Sequence, residues 1–443
     1  TMESGEGTAT NDNRHTAIVE GSWFYQFRCG PNPWMARYIY GFIFLITSLI
    51  AWAVRDYGRF ALKEISGKIV LLVFRCRQPW LIPVCLSVPW TAAMTRYIFA
   101  VNAALKGCQG VGECLGAEGV LRVCLGCSLF YFIMFISTVG TSKMYGPRDI
   151  WQSGWWFSKF LIWLVLILVI FWFPPAIIEL YAEVAHFGAG VFLLIQLISV
   201  ISFIRLINEL FHNEKNAERC HLHAMFLATA AYVVSLLGII SMYIWYAREA
   251  SCLLNIFFIS WTLVLLQLMT RVSLHPKVNA GILTPGLMGL YVVFLCWCAI
   301  RRQGFEPPGD HCNRNAEDSS NKTDWLTIIV ISSNPIIYEQ ISIFRKDDSQ
   351  EEDHVPYGYG FFHFVFATGI MYFAMLLIGW NTNHPMKKWT IDVGWTSTWV
   401  KIVNEWLAAC VYGKFSSMDA YSTNNAEEQT SRITYMRNSG EAF

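Results

Sequence analysis

One apolar run constrains the fold more than any other feature of the sequence, because it is longer than a membrane is thick. The run follows Pro174-Pro175 and extends from Ala176 to His212 without another proline. Proline is accepted in the first turn of a helix but not further inside, so the pair marks a helix start. At 1.5 Å per residue the helix would be about 55 Å long, against a hydrocarbon thickness of about 30 Å. The run therefore predicts a helix that crosses a membrane obliquely or lies partly in the interface.

The rest of the chain is also typical of a membrane protein. Of its 443 residues 54% are hydrophobic and 15% charged, whereas soluble domains are about a quarter charged. Apolar windows long enough to span a bilayer recur, so we expect an all-α, polytopic membrane protein with about ten transmembrane helices. The expected spans, of which 325–344 is interrupted by Pro335, are 35–54, 120–139, 157–173, 176–212, 222–246, 253–271, 282–300, 325–344, 358–380 and 395–412.

The sequence divides into a polar N-terminal tail (1–33), a membrane domain (34–412) and a polar C-terminal tail (413–443). The first tail has no apolar stretch typical of a cleavable signal peptide. Within the membrane domain, 62–106 is atypical, because basic residues and prolines separate its apolar pieces. The net charge of +1 gives no basis for a nucleic-acid partner.

Orientation follows from a glycosylation sequon, Asn321-Lys322-Thr323, and from cysteines in predicted loops. If Asn321 is glycosylated in the lumen or outside the cell, alternation of the spans places the N-terminus in the cytosol. The loop cysteines then lie on the oxidising side and are disulfide candidates: Cys108, Cys114, Cys252 and Cys312. We expect a multi-pass protein of the endomembrane system or plasma membrane, although basic residues are distributed almost evenly between the two sides.

Polar residues on the long run form the first candidate site. Glu179, Glu183 and His186 are spaced four and three apart, so they share one face of a helix. Ionisable residues in a membrane are costly, and this strip must face protein or a wet groove. It is a candidate contact for lipid headgroups or serine. The alternative is a set of interfacial residues, since carboxylates are favoured near a helix N-terminus.

The other end of the run carries Arg205, Asn208 and Glu209, which suit either a helix cap with an ion pair or a second headgroup contact. A set with similar spacing occurs in the last expected span, and pairing between the two sets is open: Lys401, Asn404 and Glu405. Gly188 and Gly190 are expected to allow close helix packing.

The sequence gives little support for a metal site, a catalytic site or a nucleotide-binding site. Cys220, His221 and His223 lack a second ligand set at structural-zinc spacing. No hydrolase, zinc-protease, phosphate-loop or dinucleotide motif occurs. We therefore predict no catalytic residue, no metal and no cofactor, and a protein that is not an enzyme.

Several segments resemble the serine incorporator family, and most closely its plant members. They include AEVAHFGAGVFLLIQLISVISF (182–203), the run 253–302 and PYGYGFFHFVFATGIMYFAMLLIGW (356–380). The resemblance implies ten spans in two helical bundles, connected by long diagonal helices and separated by a lipid-filled groove. The segment 62–106 then looks like an insertion, and the eighth span is shortened around Pro335.

The resemblance also implies the function. The family is associated with serine incorporation into phosphatidylserine and sphingolipids, and with movement of phospholipids between leaflets. We expect non-enzymatic lipid handling of this kind, and the alternative is a secondary transporter of serine or a related solute. Membrane lipids are the expected partners. Lipid-synthesising enzymes and further copies of the chain, as a homo-oligomer, are candidates.

Overall fold

The structure is a computed structural model that describes residues 33–76, 114–141, 146–212, 217–247, 252–276, 281–301, 357–380 and 395–440. These ranges contain ten helices and no strand, which confirms the all-α prediction. The helices are α1 (Pro33–Cys76), α2 (Cys114–Thr138), α3 (Pro147–Ser153), α4 (Trp156–Ile170), α5 (Pro175–His212), α6 (Ala217–Tyr246), α7 (Leu253–Ser273), α8 (Leu283–Arg301), α9 (Tyr359–Leu377) and α10 (Trp395–Gly440).

Seven of these helices are long and apolar enough to cross a membrane, and α3 with α4 forms an eighth candidate that bends by 70°. The predicted polytopic membrane architecture is therefore confirmed. The expected span 395–412 is not confirmed, because it lies in α10, which is not among the candidates since polar residues recur along it. The expected span 325–344 lies outside the described residues.

Two helices extend beyond their predicted ends. Helix α1 continues from the expected span into the atypical segment and ends at Cys76, and α10 runs through most of the predicted C-terminal tail to Gly440. Neither extension contains proline, and charged residues such as Glu, Lys and Arg are good helix formers. Polarity ends the membrane span but does not end the helix.

The buried side chains form two bundles. The first is built from α1, α2, α4, the first half of α5, and α9. The second is built from the second half of α5 with α6, α7, α8 and α10. Helix α5 contributes Ile178 and Phe192 to the first core, and Leu197 and Ile204 to the second. This agrees with the predicted two bundles, of which α5 is one connecting helix, whereas a second diagonal helix and the lipid-filled groove stay predictions.

Glycines set the distance between helices in the first bundle. A Cβ on Gly126 of α2 would lie 2.7 Å from the Cα of Ile167 on α4, which is closer than packed atoms approach. Gly188 on α5 is buried against Met371 of α9, as predicted for close packing. Gly190 has no atom within 4 Å of its would-be Cβ, so the same prediction was wrong there.

Arg122 secures the break between α4 and α5. Pro174 and Pro175 lack the N–H groups that would bond the carbonyls of Ile170 and Phe171 in a continuous helix. The Nη1 of Arg122 on α2 donates to those carbonyls at 2.9 and 3.2 Å. It also donates to the carbonyl of Phe173 at 2.9 Å. One guanidinium therefore supplies hydrogen bonds that the proline pair removes.

The charge of Arg122 is balanced on its own helix. Its Nη2 lies 2.6 Å from Oε1 of Glu118, one turn earlier, and its side chain is fully buried. Burial of an ion pair is favourable only when its remaining donors and acceptors are satisfied. For Arg122, the carbonyl oxygens at the end of α4 accept hydrogen bonds from Nη1, the nitrogen that does not contact Glu118.

We predict that Arg122→Met destabilises the protein by about 3 kcal/mol or more, because it leaves buried carbonyls and the Glu118 carboxylate without their partner. Thermal unfolding of the purified protein in detergent, followed by tryptophan fluorescence, measures the loss. The double variant Glu118→Gln/Arg122→Met removes the uncompensated charge and should melt above the single variant. A single variant that melts with the wild type would contradict this role.

A pair of glycine substitutions tests the packing of α2 on α4. Alanine is favoured over glycine inside a helix by about 1 kcal/mol, so Gly190→Ala should be neutral or stabilising. Gly126→Ala gains the same preference but forces α2 away from the backbone of Ile167, and we expect a net loss of about 1–3 kcal/mol. The two melting temperatures should therefore move in opposite directions. Equal shifts would show that the contact at Gly126 is not restrictive.

Candidate functional site

The first turns of α5 carry a polar stripe, Glu179, Glu183 and His186, hereafter the α5 stripe. Both carboxylates are exposed and His186 is half-buried. At 1.5 Å per residue the stripe extends from about 6 to about 17 Å beyond the helix start. It therefore reaches from one membrane surface into the hydrocarbon region, if the helix begins near the interface.

Large apolar side chains lie beside the carboxylates. Leu180, Val184 and Phe187 are 64, 47 and 77% exposed. The exposed surface of α5 thus combines two carboxylates with large apolar side chains. This combination can accommodate both the headgroup and the chains of an amphipathic molecule.

His186 lies at the border between the stripe and the first bundle. Its Nδ1 is 2.7 Å from the carbonyl of Ala182, one turn earlier, and its Nε2 is 3.4 Å from the carbonyl of Trp380. Carbonyl oxygens only accept, so the shorter bond places a proton on Nδ1. The ring is held by backbone groups while Glu179 and Glu183 remain exposed.

The carbonyl that faces His186 belongs to an unusual helix end. Gly379 and Trp380 both follow α9 in the left-handed region, with φ of 62° and 61°. Their backbone N–H groups donate to Leu376 and Met375 and close the helix. A side chain other than glycine seldom takes this conformation, and here the surrounding helices hold Trp380 in it. The strained turn sets the position of the carbonyl that contacts the stripe.

A buried charged layer lies at the same end of the first bundle. Arg55 and Asp56 form a 2.8 Å pair at nearly full burial, and Arg55 also donates to the carbonyl of Leu377 at the end of α9. Glu118 and Arg122 belong to this layer. Sequence analysis did not single these residues out, although an arginine within the apolar run GVLRVCLGC (119–127) is a signal of a buried partner.

The second predicted set lies at the far end of α5. The Cζ of Arg205 lies 4.9 Å from the ring centre of Phe415 on α10, Asn208 is half-buried and Glu209 is exposed. Glu179 and Glu209 are about 45 Å apart along the helix. The structure therefore does not bring the two sets into one site, and the ring contact fits a structural role for Arg205.

A second polar cluster occupies the opposite end of the first bundle. Tyr359 donates to Asp149 at 2.6 Å, and His363 lies 2.8 Å from the amide oxygen of Gln152. Lys159 donates to the carbonyl of Gln152 at 3.0 Å. All five side chains are buried. The sequence did not point to a role for them, and their contacts join α3 to α4 and α9.

In the second bundle, the set Lys401, Asn404 and Glu405 contacts its own neighbours. Lys401 lies 3.5 Å from the carbonyl of Cys298 on α8. The carboxyl of Glu405 lies 2.7 Å from the hydroxyl of Thr262 on α7. The carboxyl of Glu405 therefore bonds α7 rather than the Arg205 set of α5.

The predicted disulfide, glycosylation and metal-site residues lie partly outside the described residues. Cys252 is disulfide-bonded. Cys108, Cys312 and Asn321 lie outside the described residues, as do the side chains of Cys114, Cys220 and His221. The disulfide partners and the glycosylation site stay predictions. Within the described part of the chain, no group of three or more His, Cys, Asp or Glu residues is arranged to hold a metal ion.

Comparison with known proteins gives the family. The family described as Serine incorporator (Serinc) matches residues 24–342 and 332–415. A probable serine incorporator of Dictyostelium discoideum is 29% identical over 63% of this chain and 74% of its own length. Serine incorporator 2 of Homo sapiens is 24% identical over 70% of this chain and 80% of its own length. A probable serine incorporator of Monosiga brevicollis is 23% identical over 86% of this chain and 89% of its own length. This multi-pass helical membrane protein belongs to the serine incorporator family.

Proposed function

We propose that the protein is a non-enzymatic lipid handler, in which the α5 stripe guides polar headgroups through the outer part of the hydrocarbon region. The observation that carries this proposal is the exposure of Glu179 and Glu183 on a helix of 38 residues. Ionisable groups on a membrane helix normally face protein or water. Their exposure beside apolar residues suits a surface that amphipathic molecules contact.

The proposed physical effect of the stripe is to lower the free-energy barrier to moving a polar headgroup through the hydrocarbon region. A charged group at the centre of a bilayer costs at least about 2.5–3.5 kcal/mol, and more without local water. Glu179 and Glu183, one turn apart, offer a headgroup successive polar contacts over part of that path. Acyl chains remain against Leu180 and Phe187. Exchange of this kind needs no covalent step and no energy source.

The charge of the stripe suggests which headgroups it suits. Two carboxylates attract the ammonium of a choline, ethanolamine or serine headgroup through charge-assisted contacts. They repel lipids whose headgroup carries only phosphate. The amino group of free serine has the same chemistry, so the stripe also suits a protein that supplies serine for phosphatidylserine and sphingolipid synthesis.

Transport of serine as a soluble solute is the alternative. The observation that favours it is the break between α4 and α5, since transporter sites form where helices are interrupted. A saturable flux of labelled serine into vesicles would support transport, whereas lipid exchange without serine flux supports lipid handling.

We predict that Glu179→Leu/Glu183→Leu slows exchange between leaflets of a phospholipid whose headgroup carries an ammonium. If the two carboxylates remove about 1.4 kcal/mol of the barrier, exchange should slow about tenfold. The measurement is quenching of a chain-labelled fluorescent phosphatidylcholine in liposomes that contain the purified protein. A phosphatidic acid with the same label should exchange slowly in both proteins.

Thr229→Leu provides the matched control, because Thr229 is also a polar, exposed residue but lies on α6 in the second bundle. It should leave exchange at the wild-type rate. Equal rates for the stripe variant and the wild type, in well-folded samples, would contradict the proposed path. Equal slowing by both leucine variants would indicate a general effect of added hydrophobicity.

A further inference from the structure

The second bundle contains an acidic residue at its centre. Glu405 of α10 is 1% exposed, and its neighbour Thr262, near the middle of α7, is 0% exposed. Cys296 of α8, also fully buried, belongs to the hydrophobic cluster of the same bundle. Because α7 and α8 are both candidate membrane spans, this carboxyl lies deep in the membrane.

The hydroxyl of Thr262 lies within hydrogen-bond distance of two oxygen atoms, the carbonyl of Phe258 and the carboxyl of Glu405. The Thr262 Oγ1 lies 2.9 Å from the carbonyl of Phe258 and 2.7 Å from Oε1 of Glu405. A hydroxyl carries one hydrogen and can accept at its lone pairs. If Thr262 donates to Phe258, the bond between Thr262 and Glu405 needs a hydrogen from the glutamic acid.

The ionised form of Glu405 fits this environment poorly. Its second oxygen, Oε2, has no hydrogen-bond partner among the described residues. A carboxylate has about four acceptor positions, and here it would receive at most one hydrogen bond, from Thr262. Burial of so poorly satisfied a charge is far costlier than burial of the neutral acid.

The groups that face Glu405 supply little compensation. Among the described residues, helix α7 presents the neutral Thr262 to Glu405, and α8 contributes Cys296 to the buried cluster of the same bundle. On α10 itself, Lys401 lies one turn earlier and its ammonium is directed to the Cys298 carbonyl. Arg205, the charged residue that α5 places against α10, contacts Phe415 about 15 Å further along the helix.

We propose that Glu405 is a proton-binding site in the interior of the second bundle, holding its proton at neutral pH and donating it in a hydrogen bond to Thr262. The ligand is a proton rather than a metal cation. The bond joins α10 to α7, and loss of the proton replaces it with a buried anion. The α7–α10 contact therefore depends on protonation, independently of the lipid path on α5.

Infrared difference spectroscopy of the full chain in lipid vesicles at neutral pH tests this proposal. We expect a carboxylic-acid C=O band that shifts in D₂O and is missing from Glu405→Gln. In Thr262→Val the band should persist at a shifted frequency, because the acid has lost its acceptor. An isosteric change at a buried hydroxyl of another helix, Ser235→Ala on α6, should leave the band unchanged.

Three results would overturn the proposal. The first is a carboxylate band for Glu405 at neutral pH, including one that changes when sodium is added. The second is a band that Thr262→Val leaves unshifted. The third is failure of Glu405→Gln to fold, because its amide preserves the donor and the size of the neutral acid.

Discussion

The hydrogen bonds from Arg122 to the end of α4 are the interaction on which the rest of the architecture depends. Pro174 and Pro175 mark the break between α4 and α5. With the prolines and without the guanidinium, the carbonyls of Phe171 and Phe173 would lose the donor that they share. Arg122 allows the chain to turn inside the first bundle. Only then can α5 leave that bundle and reach the second, with its acidic stripe exposed on the way.

The described charged groups within the two bundles differ in how they are neutralised. In the first bundle, Arg122 meets Glu118, and Arg55 meets Asp56. In the second, Glu405 bonds a hydroxyl, and we assign it a proton instead of a counter-charge. Glu179 and Glu183 are not buried with a counter-charge or a proton, and their side chains remain exposed. That contrast separates residues that stabilise the fold from the two residues to which we assign contact with lipid headgroups.

The sequence predicts elements better than it predicts contacts. Apolar run length and the position of Pro175 are local properties, and they place α5 almost to the residue. The extensions of α1 and α10 escape prediction, because hydropathy reports the membrane boundary rather than the helix end. The spacing of Glu179, Glu183 and His186 marks a shared face, but the contact of His186 with Trp380 joins residues nearly two hundred positions apart. Such pairings depend on tertiary packing, which periodicity does not contain.

Because the two halves of α5 pack into different cores, the number of residues between those halves cannot change without misaligning one of them. Phe192 belongs to the first core and Leu197 to the second, so the switch between cores occurs within five residues. A single inserted residue there would rotate everything beyond it by about 100° and shift it by about 1.5 Å. The face of α5 that packs into the second bundle would then point away from that bundle. Natural variation in this family should therefore tolerate changes of residue type in this part of α5 far more readily than changes of its length.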